Sequence, residues 1–208
     1  MSNQERPAIV VLAAGRGRRF AGTSHKLEQS LGSSTVLAST LRHVIATQLP
    51  MVVVTTQALE SQVRRYVASR DVVVMPEEGT FHGLGVGASI AAGVSALPDA
   101  PGWVMLPADM PMVRPSTLTA VARALGDSPV SYAQHGGRRG HPVGFSAELY
   151  SELVSLTGDE GVRRLVARYP AQAVEVDDPG VLMGLDTVED LAALRAVRGG
   201  LREQRVHE

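Results

Sequence analysis

Three arginines and a lysine, Arg16, Arg18, Arg19 and Lys26, fall within eleven residues. Guanidinium forks and an ammonium point charge are the side chains that hold phosphate oxygens. Gly15 and Gly17 lie among them. Glycine lets a backbone turn sharply and bring its N–H groups up to an anion. The apolar run Ile9-Val10-Val11-Leu12-Ala13 comes just before, and it reads as a buried strand. A cationic, glycine-bearing loop at the carboxyl end of a first β-strand is where α/β sheets take polyphosphates. Phe20 stands where a dinucleotide fingerprint needs its third glycine, and no Gly-Lys-Ser/Thr follows, so this is a phosphate loop of another kind. The plainer reading is a tight strand–helix turn with solvated arginines.

Carboxylates come next. Asp109, in Leu106-Pro107-Ala108-Asp109-Met110-Pro111, follows another apolar run. An acid at the end of a parallel strand faces the ligand crevice and suits Mg²⁺, which takes oxygen ligands and bridges to phosphates. It could equally cap a turn. Asp186, with Glu189 three residues on, has the spacing of a capping box ahead of an apolar helix, and capping leaves one carboxylate oxygen for a metal. Gly79–Ser89 runs into a helix of small residues. It permits either the approach of a flat base, with Ser89 reading it, or close helix packing. Asp159 is placed to cap the helix bearing Val162, Leu165 and Val166. Of the six histidines, His141 is the one placed to touch a substrate; the others, without zinc-like spacing, read as surface or capping residues.

These residues need elements to position them. Strand-like runs recur at 8–13, 51–56, 71–75, 103–107, 130–134 and 173–177. Helical faces lie between them: Val36, Leu37, Leu41, Val44 and Ile45; Leu59, Val63, Tyr66 and Val67; Leu118, Val121, Ala122 and Leu125. Alternating strands and helices predict an α/β fold, a Rossmann-like doubly wound, mainly parallel sheet with helices on both faces. The polar, glycine-rich segment 135–142 reads as a mobile loop. The expected organisation is a single domain over 1–197 with a flexible tail over 198–208.

Composition narrows the function. The 208 residues are 44% hydrophobic and 20% charged, enough for one core of good size. A net charge of −1 argues against a general nucleic-acid binder while allowing a local basic loop. The absence of cysteine excludes thiolate metal sites, disulfides and a cysteine nucleophile. No apolar run reaches the length of a membrane span, and the start lacks a signal-peptide pattern. The expected location is cytoplasmic.

Five motifs occur in order over residues 9–194: Leu12-Ala13-Ala14-Gly15-x-Gly17-x-Arg19-Phe20 with Lys26; Gly83-x-Gly85-x-Gly87-Ala88-Ser89; Pro107-Ala108-Asp109-Met110-Pro111; Arg139-Gly140-His141-Pro142-Val143-x-Phe145; and Gly158-Asp159-x-Gly161-x-Arg163, followed by Asp186-Thr187-x-Glu189-Asp190-Leu191. Together they resemble the nucleotidyltransferases that mature the molybdenum cofactor, and among these the molybdenum cofactor cytidylyltransferases. Ala13-Ala14-Gly15 and Pro107-Ala108-Asp109 look like the CTP-using branch; the guanylyltransferase branch has Ala-Gly-Gly and Cys-Asp there.

The resemblance implies a nucleotide-diphospho-sugar transferase-like fold. It implies transfer of CMP from CTP to the terminal phosphate of molybdopterin cofactor, with release of pyrophosphate. It puts Arg19, Lys26 and Asp109 at the reacting phosphates and gives Mg²⁺ to Asp109 and Asp186. It places the nucleotide near Leu12, Ala13, Ala14, Gly15, Arg16, Gly17, Gly85, Ser89, Pro107 and Ala108. It turns Arg139, Gly140, His141 and Pro142 toward the pterin. A molybdoenzyme or its chaperone would be the downstream partner. The chain departs from the family at Gly184, where relatives have aspartate, at Val188 in place of proline, in a longer 21–25 spacer, and at Glu28 and Gly32-Ser33-Ser34. These departures keep two alternatives in view: a same-fold transferase for another phosphorylated small molecule, and a non-catalytic carrier of the cofactor.

Overall fold

Strand β1 (Ala8–Ala13) is apolar throughout, and its two faces feed two cores. Ile9, Val11 and Ala13 belong to one buried cluster, Ala8 and Val10 to the other. This is the period-2 alternation of a strand covered on both sides. The structure is a computed structural model and describes residues 6–15, 17, 19–22, 24–76 and 85–206, with main chain alone over 201–206.

The other strands are β2 (Ser30–Leu31), β3 (Ser34–Thr35), β4 (Met51–Thr56), β5 (Val72–Met75), β6 (Gly102–Pro107), β7 (Val130–His135), β8 (Arg138–Ser146) and β9 (Ala171–Glu175). Seven form one sheet in the order β5-β4-β1-β6-β8-β7-β9, and β2–β3 form a small hairpin. β1 pairs in parallel with β4 and β6, and β4 with β5. β8 is antiparallel to both β6 and β7.

The helices are α1 (Val36–Ala46), α2 (Gln57–Val63), α3 (Gly85–Ser95), α4 (Pro115–Ala124), α5 (Tyr150–Val154), α6 (Gly158–Arg168) and α7 (Val188–Val206). Leu37 and Leu41 of α1, Leu59 of α2, Leu118 of α4 and Leu191 of α7 cover one face of the sheet. Ile90 of α3, Leu153 of α5 and Leu165 of α6 cover the other. The chain steps from β1 outward to β5, then crosses by α3 to β6 on the opposite side of β1. The order therefore reverses between β1 and β6, which makes their carboxyl ends a topological switch point.

Several expectations are corrected. The 135–142 loop is instead the tip of the β7–β8 hairpin. Gly136 and Gly137 both have positive φ, 56° and 73°, the conformation that a two-residue hairpin turn requires. Ile45 and Tyr66 are exposed rather than on core faces. The tail expected from 198 is helical as far as Val206, and Arg198 donates to Ser39 Oγ at 2.7 Å. The glycines of α3 serve packing. A Cβ on Gly93 would stand 2.3 Å from Val10 Cγ1, an overpacking that typically costs about 1–3 kcal/mol. Residues 77–84, which hold Gly83 and His82, lie outside the described residues, as do Arg16 and Arg18.

Candidate active site

Loops from both sides of the switch point converge on one cleft of about 660 Å³. Asp109 is fixed by the chain around it. Ala108 N–H donates to Leu12 O at 3.0 Å, which extends the β1–β6 ladder by one rung. The Ala108 carbonyl accepts the buried Thr40 hydroxyl of α1 at 2.8 Å. The Asp109 carbonyl accepts Leu185 N–H at 3.0 Å. That last bond draws the 183–187 segment, and with it Asp186, to the end of β6.

Lys26 opens a short 3₁₀ turn, Lys26–Glu28. Its Nζ donates to Asp109 Oδ2 at 2.5 Å, Leu185 O at 2.9 Å and Asp186 Oδ1 at 3.1 Å. All three ammonium protons are used. The lysine side chain is only 12% exposed and that of Asp109 only 18%, so this ion pair is sheltered from solvent screening. Arg19 Nη2 lies 3.1 Å from Asp186 Oδ2; it is 78% exposed and adds little to stability. Gly17 has φ +60°, and a Cβ there would lie 3.3 Å from Lys26 Cγ. Only a glycine lets the loop pass so close to the lysine.

The opposite wall comes from β8: Arg138, Arg139, Gly140 and His141. The Arg139 guanidinium sits 4.2 Å from the centre of the Tyr132 ring, an attractive stacking that restrains it. Burial holds the His141 pKa below its usual value; the Asp109 charge opposes that shift and Arg139 adds to it. The neutral ring therefore predominates near pH 7.

Ten of the expected residues line the cleft: Gly15, Gly17, Arg19, Lys26, Pro107, Asp109, Arg139, Gly140, His141 and Asp186. Leu12, Ala13, Ala14, Ala108 and Pro142 adjoin it in the chain but are not on its wall. Neither is Ser89, half-buried on α3, nor Gly85, which borders a shallower hollow with Arg163. Arg16 is outside the described residues.

Two capping roles fall on other residues than expected. The box before α7 is made by Thr187 and Asp190: Asp190 Oδ2 accepts Asp186 and Thr187 N–H at 2.9 and 2.8 Å, and Thr187 Oγ1 accepts Asp190 N–H at 3.2 Å. Asp186 is thereby left free to face Lys26. Asp159 accepts Val86 N–H at 2.8 Å, so it caps the neighbouring helix α3 rather than its own. Arg138, in the 138–142 segment that the resemblance turns toward the pterin, is on the wall; Val86 and Asp159 join it without a sequence signal for the cleft. The Gly-Gly dipeptide before Arg138 is the signal that this segment is a hairpin rather than a loop.

The acids fit a hard divalent cation. Two carboxylates converge on one point where they now share a single ammonium. Among the described residues no group of three or more His, Cys, Asp or Glu could hold a metal ion. Two acids without an all-protein cage suit a hard divalent cation that keeps waters and substrate phosphates among its ligands. Among the described residues no helix is long and apolar enough to cross a membrane.

The family described as MobA-like NTP transferase domain matches residues 9–176. The chain is 28% identical over 196 residues to the Purine catabolism protein PucB of Bacillus subtilis, covering 89% of this chain and 94% of that one. The crystal structure of Rv0371c from Mycobacterium tuberculosis superposes with a TM-score of 0.77 at 28% identity, covering 92% and 98% of the two chains. The same protein has been crystallised as a complex with manganese. A nucleotidyl transferase from Methanothermobacter thermautotroptrophicus has a TM-score of 0.75 at 25% identity, covering 95% and 99%. With its doubly wound sheet and the acids, lysine and arginine gathered at the switch point, this chain belongs to the MobA-like NTP transferase domain family and is a nucleotidyltransferase.

Proposed function

We propose that the chain transfers CMP from CTP to the terminal phosphate of molybdopterin cofactor and releases pyrophosphate. The observation that carries this reading is the meeting of Lys26 with Asp109 and Asp186 at the β1–β6 switch point. In-line attack by an acceptor phosphate oxygen on the α-phosphorus forms one P–O bond and breaks the bond to pyrophosphate. Such a step needs positioning and charge neutralisation, not a protein nucleophile.

In the complex with substrate, where Asp109 and Asp186 would hold the cation instead, Lys26 turns from the acids to the triphosphate; with Arg19 and the glycine loop it binds the phosphates and stabilises the charge that gathers on the leaving pyrophosphate. By sequence, Arg16 belongs to the same loop. The main chain of Leu12–Gly15 and of Pro107–Ala108 borders the nucleoside, with Gly85 and Ser89 behind it. Arg138, Arg139, Gly140 and His141 face the acceptor, with the buried Pro142 behind them. Asp109 and Asp186 would hold Mg²⁺, which when bound neutralises phosphate oxygens and polarises the phosphoryl group. The motif resemblance and the MobA-like family support molybdopterin as the acceptor. Ala13-Ala14-Gly15 and Pro107-Ala108-Asp109 support CTP as the donor.

The test is pyrophosphate release from CTP, GTP and ATP, with cofactor present and with or without Mg²⁺. CTP-selective, Mg²⁺-dependent release that Asp109→Ala abolishes is the expected result. Equal rates for Asp109→Ala and wild type would refute the metal role. A second reading, transfer to another phosphorylated small molecule, draws on the near-full-length likeness to PucB and on Gly184. Release with no CTP preference would support it. Tight cofactor binding without turnover would favour a carrier.

A further inference from the structure

We infer that His25 is a positioning residue for Lys26, acting as the neutral imidazole with its proton on Nε2. This rests on the reading in which Lys26 meets the triphosphate. Leu27 N–H donates to His25 Nδ1 at 3.2 Å, so Nδ1 must present a lone pair. The Nε2 atom lies 3.1 Å from the Gly15 carbonyl oxygen, which can only accept. The neutral Nε2–H tautomer satisfies both contacts; the other tautomer and the imidazolium satisfy one at most.

The half-buried ring is thus a strut between two parts of the site. One end grips the peptide that leaves the carboxyl end of β1. The other end starts the turn that carries Lys26. The turn is held from behind as well: Glu28 Oε2 accepts His25 N–H at 3.2 Å, and Gln62 of α2 holds the other carboxylate oxygen of Glu28. Lysine is flexible along its four-carbon stem. Its ammonium reaches Asp109 and Asp186 reproducibly only if its backbone stands at a fixed distance from the loop it shares with the phosphates. The strut sets that distance, and Gly17 lies against both residues, 3.3 Å from Lys26 Cγ and 3.7 Å from His25 Nε2 to the position a Cβ would take.

A mere helix cap would use Nδ1 alone, and two substitutions separate the roles. In His25→Asn the amide oxygen takes the place of Nδ1, a good cap, but the side chain is too short to reach Gly15. In His25→Gln the amide nitrogen takes the place of Nε2 and can donate to the Gly15 carbonyl.

The measurements are calorimetric affinity for inorganic tripolyphosphate in excess Mg²⁺, thermal unfolding, and separate KM values for CTP and acceptor. His25→Asn should bind tripolyphosphate roughly five- to tenfold more weakly, the scale of one hydrogen bond. Its melting temperature should stay near wild type. His25→Gln should recover affinity to within about twofold of wild type. KM for CTP should follow the affinities, and KM for the acceptor should not move. Wild-type affinity in His25→Asn, or no recovery in His25→Gln, overturns the strut. If wild type binds tripolyphosphate but does not turn over CTP, the substrate reading fails and the strut stands on its binding data. If wild type does not bind tripolyphosphate at all, the strut falls with the triphosphate reading.

Discussion

Lys26 and Asp109, 83 positions apart in the chain, meet at 2.5 Å, and the lysine reaches Asp186 from the same nitrogen. On the proposed function, replacing Lys26 with Met removes a preorganised donor at the leaving phosphates. Loss of such a donor costs about 3–4 kcal/mol of transition-state stabilisation. The expected outcome is a fall of two to three orders of magnitude in kcat/KM for pyrophosphate release. Lys26→Arg should not restore it, because a planar fork cannot serve the three acceptors that one ammonium serves here. Near-wild-type turnover in Lys26→Met would remove the lysine from the reaction.

Gly184 lines the cleft beside Asp186, and a Cβ at this position would meet no atom within 4 Å. Gly184→Asp should therefore fold without strain and bring a third carboxylate to the acid pair. Cation affinity rises with ligand charge. Manganese titration followed by electron paramagnetic resonance, without nucleotide, should show tighter binding on the order of tenfold. Unchanged affinity would mean that this wall is turned away from the cation.

The Asp190 pKa is held below the ordinary carboxylate value, first by the Asp186 N–H and then by the Thr187 N–H. A carboxyl depressed in the folded state binds its proton less readily there than in the unfolded chain. Its contribution is therefore complete above the unfolded pKa of about 3.9 and drains away as pH falls through the lower folded value. The melting-temperature gap between wild type and Asp190→Ala should be constant near neutrality and narrow as the pH drops below about 4. A gap that widened in acid would contradict the assignment.

On the proposed function, Arg139 faces the acceptor and not the nucleotide. Arg139→Ala should raise KM for the acceptor by about tenfold, the scale of one charge-assisted contact, and leave KM for CTP alone. Tyr132→Leu keeps the charge and removes the stacking, worth about 0.5–1 kcal/mol at an exposed site. Its KM for the acceptor should rise by only about two- to fivefold. A matching rise in KM for CTP would place the arginine on the wrong substrate.

The fold class and most of the site could be read from the sequence because both rest on local signals. β1, β4 and β6 are apolar runs with clear limits, and Asp109 stands two residues past the end of β6. Asp109 is read from its strand end, Lys26 from the cationic loop and Asp186 from its capping spacing, and the three meet. The β8 strand was hidden because its first half, Arg138–His141, is polar and lines the cleft, so period-2 burial begins only at Pro142. Asp159 reads as a cap of its own helix because capping is sought in the nearest element; here the donor, Val86, lies 73 residues away. The departures at Glu28 and at Gly32-Ser33-Ser34 bear less on substrate choice than the sequence implied. None of these residues lines the cleft; Glu28 braces the 3₁₀ turn and the β2–β3 hairpin is bound by Arg195 of α7.

The span shared with the family ends at residue 176, just past β9, whereas Asp186 comes ten positions later and its main chain is tethered to α7. A fragment cut at that border would keep every strand of the sheet described here. It would lose Leu185, Leu191 and Leu194 from the core and retain one of the two converging carboxylates. The final helix is therefore part of what closes the core and holds the cleft's second acid in place, rather than an appendage.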